Sequence, residues 1–120
     1  MKLLKFILLL SFVSVFSQNK KLDSLNSLLE KNIVRDTIRV NLLNKIALDI
    51  YNNDKKKSLN LANEALVIAD SLEYLNGLAE SYYVMAKVYA VQYKFDEAYD
   101  KIELASKIFI KEENHPHKNI

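Results

Sequence analysis

Cysteine and tryptophan are missing from this 120-residue chain, and it has one glycine, one proline and two histidines. Without cysteine there is no disulfide framework, thiol nucleophile or thiolate ligand, so stability has to come from packing. One glycine and one proline are too few for strands joined by tight hairpins, a design that uses such residues at every turn. No glycine-rich run is present to cradle a phosphate. His115 and His117 flank Pro116 close to the last residue. Tetrahedral zinc takes three or four fixed ligands, so this pair does not make a metal site, and a terminus does not position a base for a serine nucleophile. No catalytic residue, no cofactor and no metal are therefore expected.

Apolar residues are plentiful. Half of the chain is hydrophobic and a tenth is aromatic, which marks a globular chain of a length that suits one domain. β-Branched residues are scattered among leucines and alanines rather than clustered in alternating runs, so an all-helical fold is expected.

Residues 1–17 stand apart from the rest. Lys2 and Lys5 precede an apolar run from Phe6 to Phe16, broken only by two serines, and Ser17 follows as a small residue before Gln18. This is the layout of a secretory signal peptide cut between Ser17 and Gln18, and the run falls short of the roughly 20 residues that span a bilayer. Export to a periplasm or to the outside is expected, with no membrane attachment after cleavage. Setting Lys2 and Lys5 aside reduces seventeen basic residues to fifteen, equal to the fifteen acidic ones. Net charge then gives no field to gather nucleic acid or an anionic membrane, and Lys55-Lys56-Lys57 reads as a solvated face.

Helical periodicity organises the remainder. From Asn19 to Asn32, Leu22, Leu25, Leu28 and Leu29 form one stripe of a short amphipathic helix. Asp36 or Thr37 caps the next helix, which buries Leu43, Ile46, Ala47, Ile50 and Tyr51. Asn52-Asn53-Asp54 makes a turn, with Asn53 or Asp54 capping a helix from Lys55 to Leu72 whose stripe is Ser58, Ala62, Ala65, Leu66, Ala69 and Leu72. Asn76-Gly77 is read as the break that follows, because glycine takes positive φ without cost. Leu78 to Phe109 then holds two more helices. The first is apolar on most sides and expects neighbours on most sides; the second is one-sided, with Ile102, Ala105 and Phe109 on its stripe.

Small residues recur at nearly one interval. Ala47 and Ala86 are 39 apart, while Ser58 and Ala98, like Ala65 and Ala105, are 40 apart. Such recurrence defines an internal repeat, and the one-residue difference predicts a shorter turn in the first copy. In the second copy Ala86, Tyr89, the run Phe95-Asp96-Glu97-Ala98 and Ala105 resemble a tetratricopeptide repeat, a helix-turn-helix unit. The interval exceeds that family's usual spacing of about 34 residues, so the resemblance is to a long-repeat variant. Tyr82 stands where the family often has tryptophan and Tyr93 where it often has a turn glycine. Tyrosine tolerates a left-handed backbone poorly, so another turn conformation is expected there.

The resemblance covers Thr37 to Lys111. It implies an all-α, right-handed stack of antiparallel helix pairs, a tetratricopeptide-like solenoid. The expected order is a signal peptide (1–17), a leading helix (18–34), two repeats within 35–113 (about 36–73 and 77–112) and a flexible tail (114–120). Long arrays of this kind behind a signal peptide are similar to the extracytoplasmic N-terminal regions of bacterial sensor kinases and regulators.

The resemblance also implies a concave partner-binding groove. It brings together Asn41, Asn44, Leu48 and Tyr51 from one copy with Glu80, Tyr83 and Lys87 from the next. Asparagine amides bond a peptide backbone, and tyrosine gives contact area at low entropy cost; packing between helices is the competing role for Tyr51 and Tyr83. Lys87 alone, opposed by Glu80, does not suit capture of a terminal carboxylate. The expected function is an exported, non-catalytic module that binds a protein or peptide. The alternative is a structural or oligomerising unit, or the sensory input segment of a longer receptor. Leu104, Ile108 and Ile110 lie off the main stripe of the last helix, which points to self-association through that end.

Overall fold

The computed structural model describes residues 20–114. The expected leader with its Ser17–Gln18 cleavage point, and the tail with His115, Pro116 and His117, lie outside the described residues. The described chain is all-helical, with no strand: α1 (residues 20–31), α2 (Thr37–Ile50), α3 (Lys55–Ser71), α4 (Leu75–Val91) and α5 (Phe95–Asn114). None of these helices is long and apolar enough to cross a membrane.

Side-chain caps start two of the helices. Asp36 accepts a hydrogen bond from the Arg39 amide at 3.0 Å and Asp54 one from the Lys57 amide at 3.1 Å, each satisfying a donor that the first turn leaves open. α4 begins at Tyr74 without a side-chain cap. α5 carries Asp96 and Glu97 in its first turn and Lys111 in its last, charges that complement the helix dipole.

Two helices stop in the same way, and here the structure corrects the sequence reading. After α3, the Tyr74 amide donates to the Ala69 carbonyl at 2.8 Å and the Glu73 amide to the Asp70 carbonyl at 3.2 Å. After α4, the Lys94 amide donates to Tyr89 at 2.9 Å and the Tyr93 amide to Ala90 at 3.1 Å. Both are Schellman closures, which need one left-handed residue; Glu73 has φ 54° and Tyr93 φ 61°. Tyr93 therefore takes the conformation expected to be avoided, and the six-to-one and five-to-two bonds offset a strain of about 1–2 kcal/mol.

The break between copies is Leu72-Glu73-Tyr74, not Asn76-Gly77, which lies inside α4. Gly77 is there for space. A Cβ on it would stand 2.6 Å from the Val40 side chain and 2.6 Å from the Tyr74 ring, so α4 approaches α2 as closely as only glycine permits. The turn in the first copy is not shorter either. Residues 51–54 connect α2 to α3 and residues 92–94 connect α4 to α5; the shorter interval arises because α2 ends three residues after Ala47 and α4 five after Ala86.

Packing follows the chain, α2 on α3, α3 on α4 and α4 on α5, with α2 also touching α4. Val40 and Leu43, early in α2, cluster with Ala65, Ile68 and Ala69, late in α3, and Leu29, Tyr74 and Leu78 close over them. Ala47, late in α2, clusters with Ala62, Val84 and Met85. Ser58 donates to the Ala47 carbonyl at 2.7 Å, a main-chain approach that small residues allow. A fully buried Leu43, Ile46 or Ile68 contributes about 1.5–3 kcal/mol. α4 has neighbours on three sides. α5 has few: Ala98 and Ala105 are buried, but Ile102 and Phe109, expected on the buried stripe, are 40% and 51% exposed.

Arg39 ties α1 to the rest. Its guanidinium donates to the Asn32 carbonyl at 2.8 Å, more weakly to the Leu29 carbonyl at 3.5 Å, and pairs with Glu64 of α3 at 2.8 Å. Three elements thus meet on one planar fork, a task to which arginine is better suited than lysine.

Candidate partner-binding surface

α2 and α4 lie side by side, and the polar residues on their facing sides stitch them together. Asn44 is 1% exposed. Its amide donates to the Gly77 carbonyl at 3.1 Å, and its side-chain oxygen lies 3.0 Å from the Ser81 hydroxyl. That hydroxyl is also 2.9 Å from the Gly77 carbonyl, so its single proton serves one acceptor at a time. Asn41 is exposed, and its side-chain oxygen accepts from the Tyr74 hydroxyl at 2.8 Å. Of the seven residues expected to face a partner, Asn44 is thus withdrawn into the interior and Asn41 is engaged in holding the start of α4. The Gly77 carbonyl beside Asn44 already has an intrahelical role, which makes this a crowded, fully satisfied polar knot.

Four of the other five come together at the surface. The Lys87 ammonium sits 4.9 Å from the centre of the Tyr51 ring and 5.4 Å from that of Tyr83, a contact worth about 0.5–1 kcal/mol at an exposed site. Glu80 and Lys87 form no ion pair; the cation rests on the rings instead. Tyr51 is half-buried and Tyr83 exposed, so packing and presentation divide between the two tyrosines. Leu48 is half-buried beside the second core cluster.

Glu80 and Tyr83 also line an open groove with Asn76 and Phe109, with a volume of about 420 Å³. Sequence reasoning missed Asn76 and Phe109 at this place. Asn76 was absorbed into a turn, and Phe109 was assigned to the core because its spacing from Ile102 and Ala105 is helical. A clue was present for the first: Leu75, Leu78, Ala79 and Tyr82 run at helical spacing straight through Asn76-Gly77.

The surface offers apolar rings, one carboxylate and one oriented ammonium. It can hold a chain by contact area and charge. Among the described residues there is no group of three or more histidine, cysteine, aspartate or glutamate side chains placed to hold a metal ion. No family model matches the chain, and searches of curated proteins and of solved structures return no match to it.

Proposed function

We propose that the protein is an exported, tetratricopeptide-like module that binds a protein or peptide segment and catalyses nothing. In this reading α1 leads a right-handed stack of two antiparallel helix pairs. The buried small residues Ala47, Ser58 and Ala65 and their later counterparts Ala86, Ala98 and Ala105 support it, as does the seating of α4 against both α2 and α3. Export rests on the layout of residues 1–17 alone.

The observation that carries the binding reading is the Tyr51–Lys87–Tyr83 cluster beside the groove of Asn76, Glu80 and Phe109. Two helices contribute to one surface, and the lysine is held by rings rather than neutralised by Glu80. Such a surface gives a partner aromatic area at low entropic cost and a fixed positive charge to register against. An open groove along helices suits a segment of chain better than an enclosed small molecule. Panning a random peptide display library against the protein tests this. Enriched peptides are expected to bind at least about tenfold more weakly to Tyr83→Ala and Lys87→Ala. Failure to enrich any sequence, or equal binding to both variants, overturns the assignment.

A further inference from the structure

α5 has a second apolar face, distinct from the line of Ala98 and Ala105 that it buries on α4. Phe95, Tyr99, Ile102 and Ile110 share it with Ser106 and, at its far end, Glu113, since at 3.6 residues per turn all six fall within an arc of roughly 80°. Phe95 is 64% and Tyr99 67% exposed, and Tyr93, 80% exposed, meets the Phe95 ring edge-on at 6.2 Å. The first copy shows what covers such a face. Forty positions earlier, Leu59 and Ala62 correspond to Tyr99 and Ile102; Ala62 is fully buried and Leu59 packs on the cluster that includes Val84 and Met85 of α4. A helix occupies that place on α3. Phe95 and Ile110 answer to Lys55 and Asp70, so only the middle of the face is covered on α3; on α5 the whole face carries large side chains and no described helix covers it.

The charges flanking this face specify the orientation of an occupant. Asp96 and Asp100 lie along one flank in the first half of α5 and Lys107 and Lys111 continue the same flank in the second half, with Glu103 between them paired to Lys107 of its own helix at 3.3 Å. In an antiparallel pair of identical helices, a flank meets the same flank of its mate with the direction reversed. The acidic half of each helix then lies opposite the basic half of the other. The area suffices as well. Three aromatic side chains here, Tyr93, Phe95 and Tyr99, are 64% to 80% exposed and offer about 400 Å². The isoleucines and lysine stems extend this toward the roughly 800 Å² per partner of a stable interface.

We propose that a second copy of this chain docks on this face, α5 against α5 in antiparallel register, about a two-fold axis near Ile102 and Glu103. The pairing is independent of the surface on α2 and α4 and leaves Tyr51, Tyr83 and Lys87 available. Sedimentation velocity across a concentration series, to about 100 µM, is expected to give twice the chain mass. Tyr99→Lys, at an exposed position, should weaken the association at least about tenfold without altering the helical circular dichroism signal, while Tyr83→Ala leaves it intact. Charge reversal tests the orientation. Lys107→Glu with Lys111→Glu should give a monomer, and mixing it with an Asp96→Lys, Asp100→Lys chain should restore pairing as a mixed dimer. A monomer at every concentration, a dimer indifferent to Tyr99→Lys, or no rescue on mixing overturns the inference.

Discussion

Asn44 in the first helix pair and Tyr83 in the second are corresponding residues 39 positions apart, and they meet opposite circumstances. Asn44 is sealed beneath α4 with both ends of its amide engaged, whereas Tyr83 is exposed at the mouth of a groove. The same contrast holds for Ala62 and Ile102 and for Ala69 and Phe109, whereas Asn41 and Glu80 are both exposed. Where a following helix is present, the plan uses small residues and hydrogen-bonded amides. Where none follows among the described residues, it uses rings, charge and branched aliphatics. The second pair keeps buried small residues where the first has them and differs in the residues around them.

Substituting the paired positions tests this contrast most severely. Asn44→Asp keeps the shape but removes the donor to the Gly77 carbonyl and buries a negative charge against it. Urea unfolding at neutral pH is expected to show a loss of about 3 kcal/mol or more. The loss should shrink in acid, because a protonated carboxyl can donate to that carbonyl. Tyr83→Ala should move stability by about 0.5 kcal/mol either way. Equal effects at the two positions would break the comparison.

A smaller effect is expected at Gly77. An added methyl would collide with Val40, which is fully buried, and with a Tyr74 ring anchored by its hydroxyl on Asn41. Gly77→Ala should cost about 1–2 kcal/mol, the overpacking penalty less the helix preference for alanine. At the corresponding place 39 residues earlier, Ile38 is exposed, and Ile38→Ala should fall within about 0.5 kcal/mol of the parent in thermal melts.

The smallest effect should be a gain. Glu73→Gly relieves a left-handed residue and is expected to stabilise by about 0.5–1 kcal/mol, since part of the relief is offset by the greater freedom of glycine in the unfolded chain. Tyr93→Gly should gain less, because it also removes the edge-on contact with Phe95. The α2–α3 connection has no such residue, and Asn52→Gly should show no gain by the same urea titration.

Much of the backbone was legible. Asp36 and Asp54 are cap residues immediately before apolar periodicity, and the recurrent alanines are buried. Gly77 was misread because glycine serves two purposes, left-handed turns and close approach, and only the position of Val40 decides between them. Tyr93 was misread because local preference argues against positive φ, while the hydrogen bonds that override it are visible only once α4 has ended. The candidate surface was legible in part. Tyr51, Tyr83 and Lys87, grouped by the family resemblance, lie together, but an asparagine in a sequence does not reveal whether its amide faces solvent or a neighbouring carbonyl. The role of Arg39 left one faint trace, its type: fifteen of the seventeen basic residues are lysines, and Arg39 is one of two arginines, a residue suited to planar, forked hydrogen bonding.

That arginine grips α1 by the main-chain oxygens of Leu29 and Asn32, which every residue type possesses. The handhold is therefore indifferent to spelling. An unrelated amphipathic segment spliced in ahead of Asp36 would find the same anchorage, provided its final turn ended at the same reach and it kept an apolar residue to rest near Val40. Arg39 makes the front of the molecule interchangeable while its middle is not.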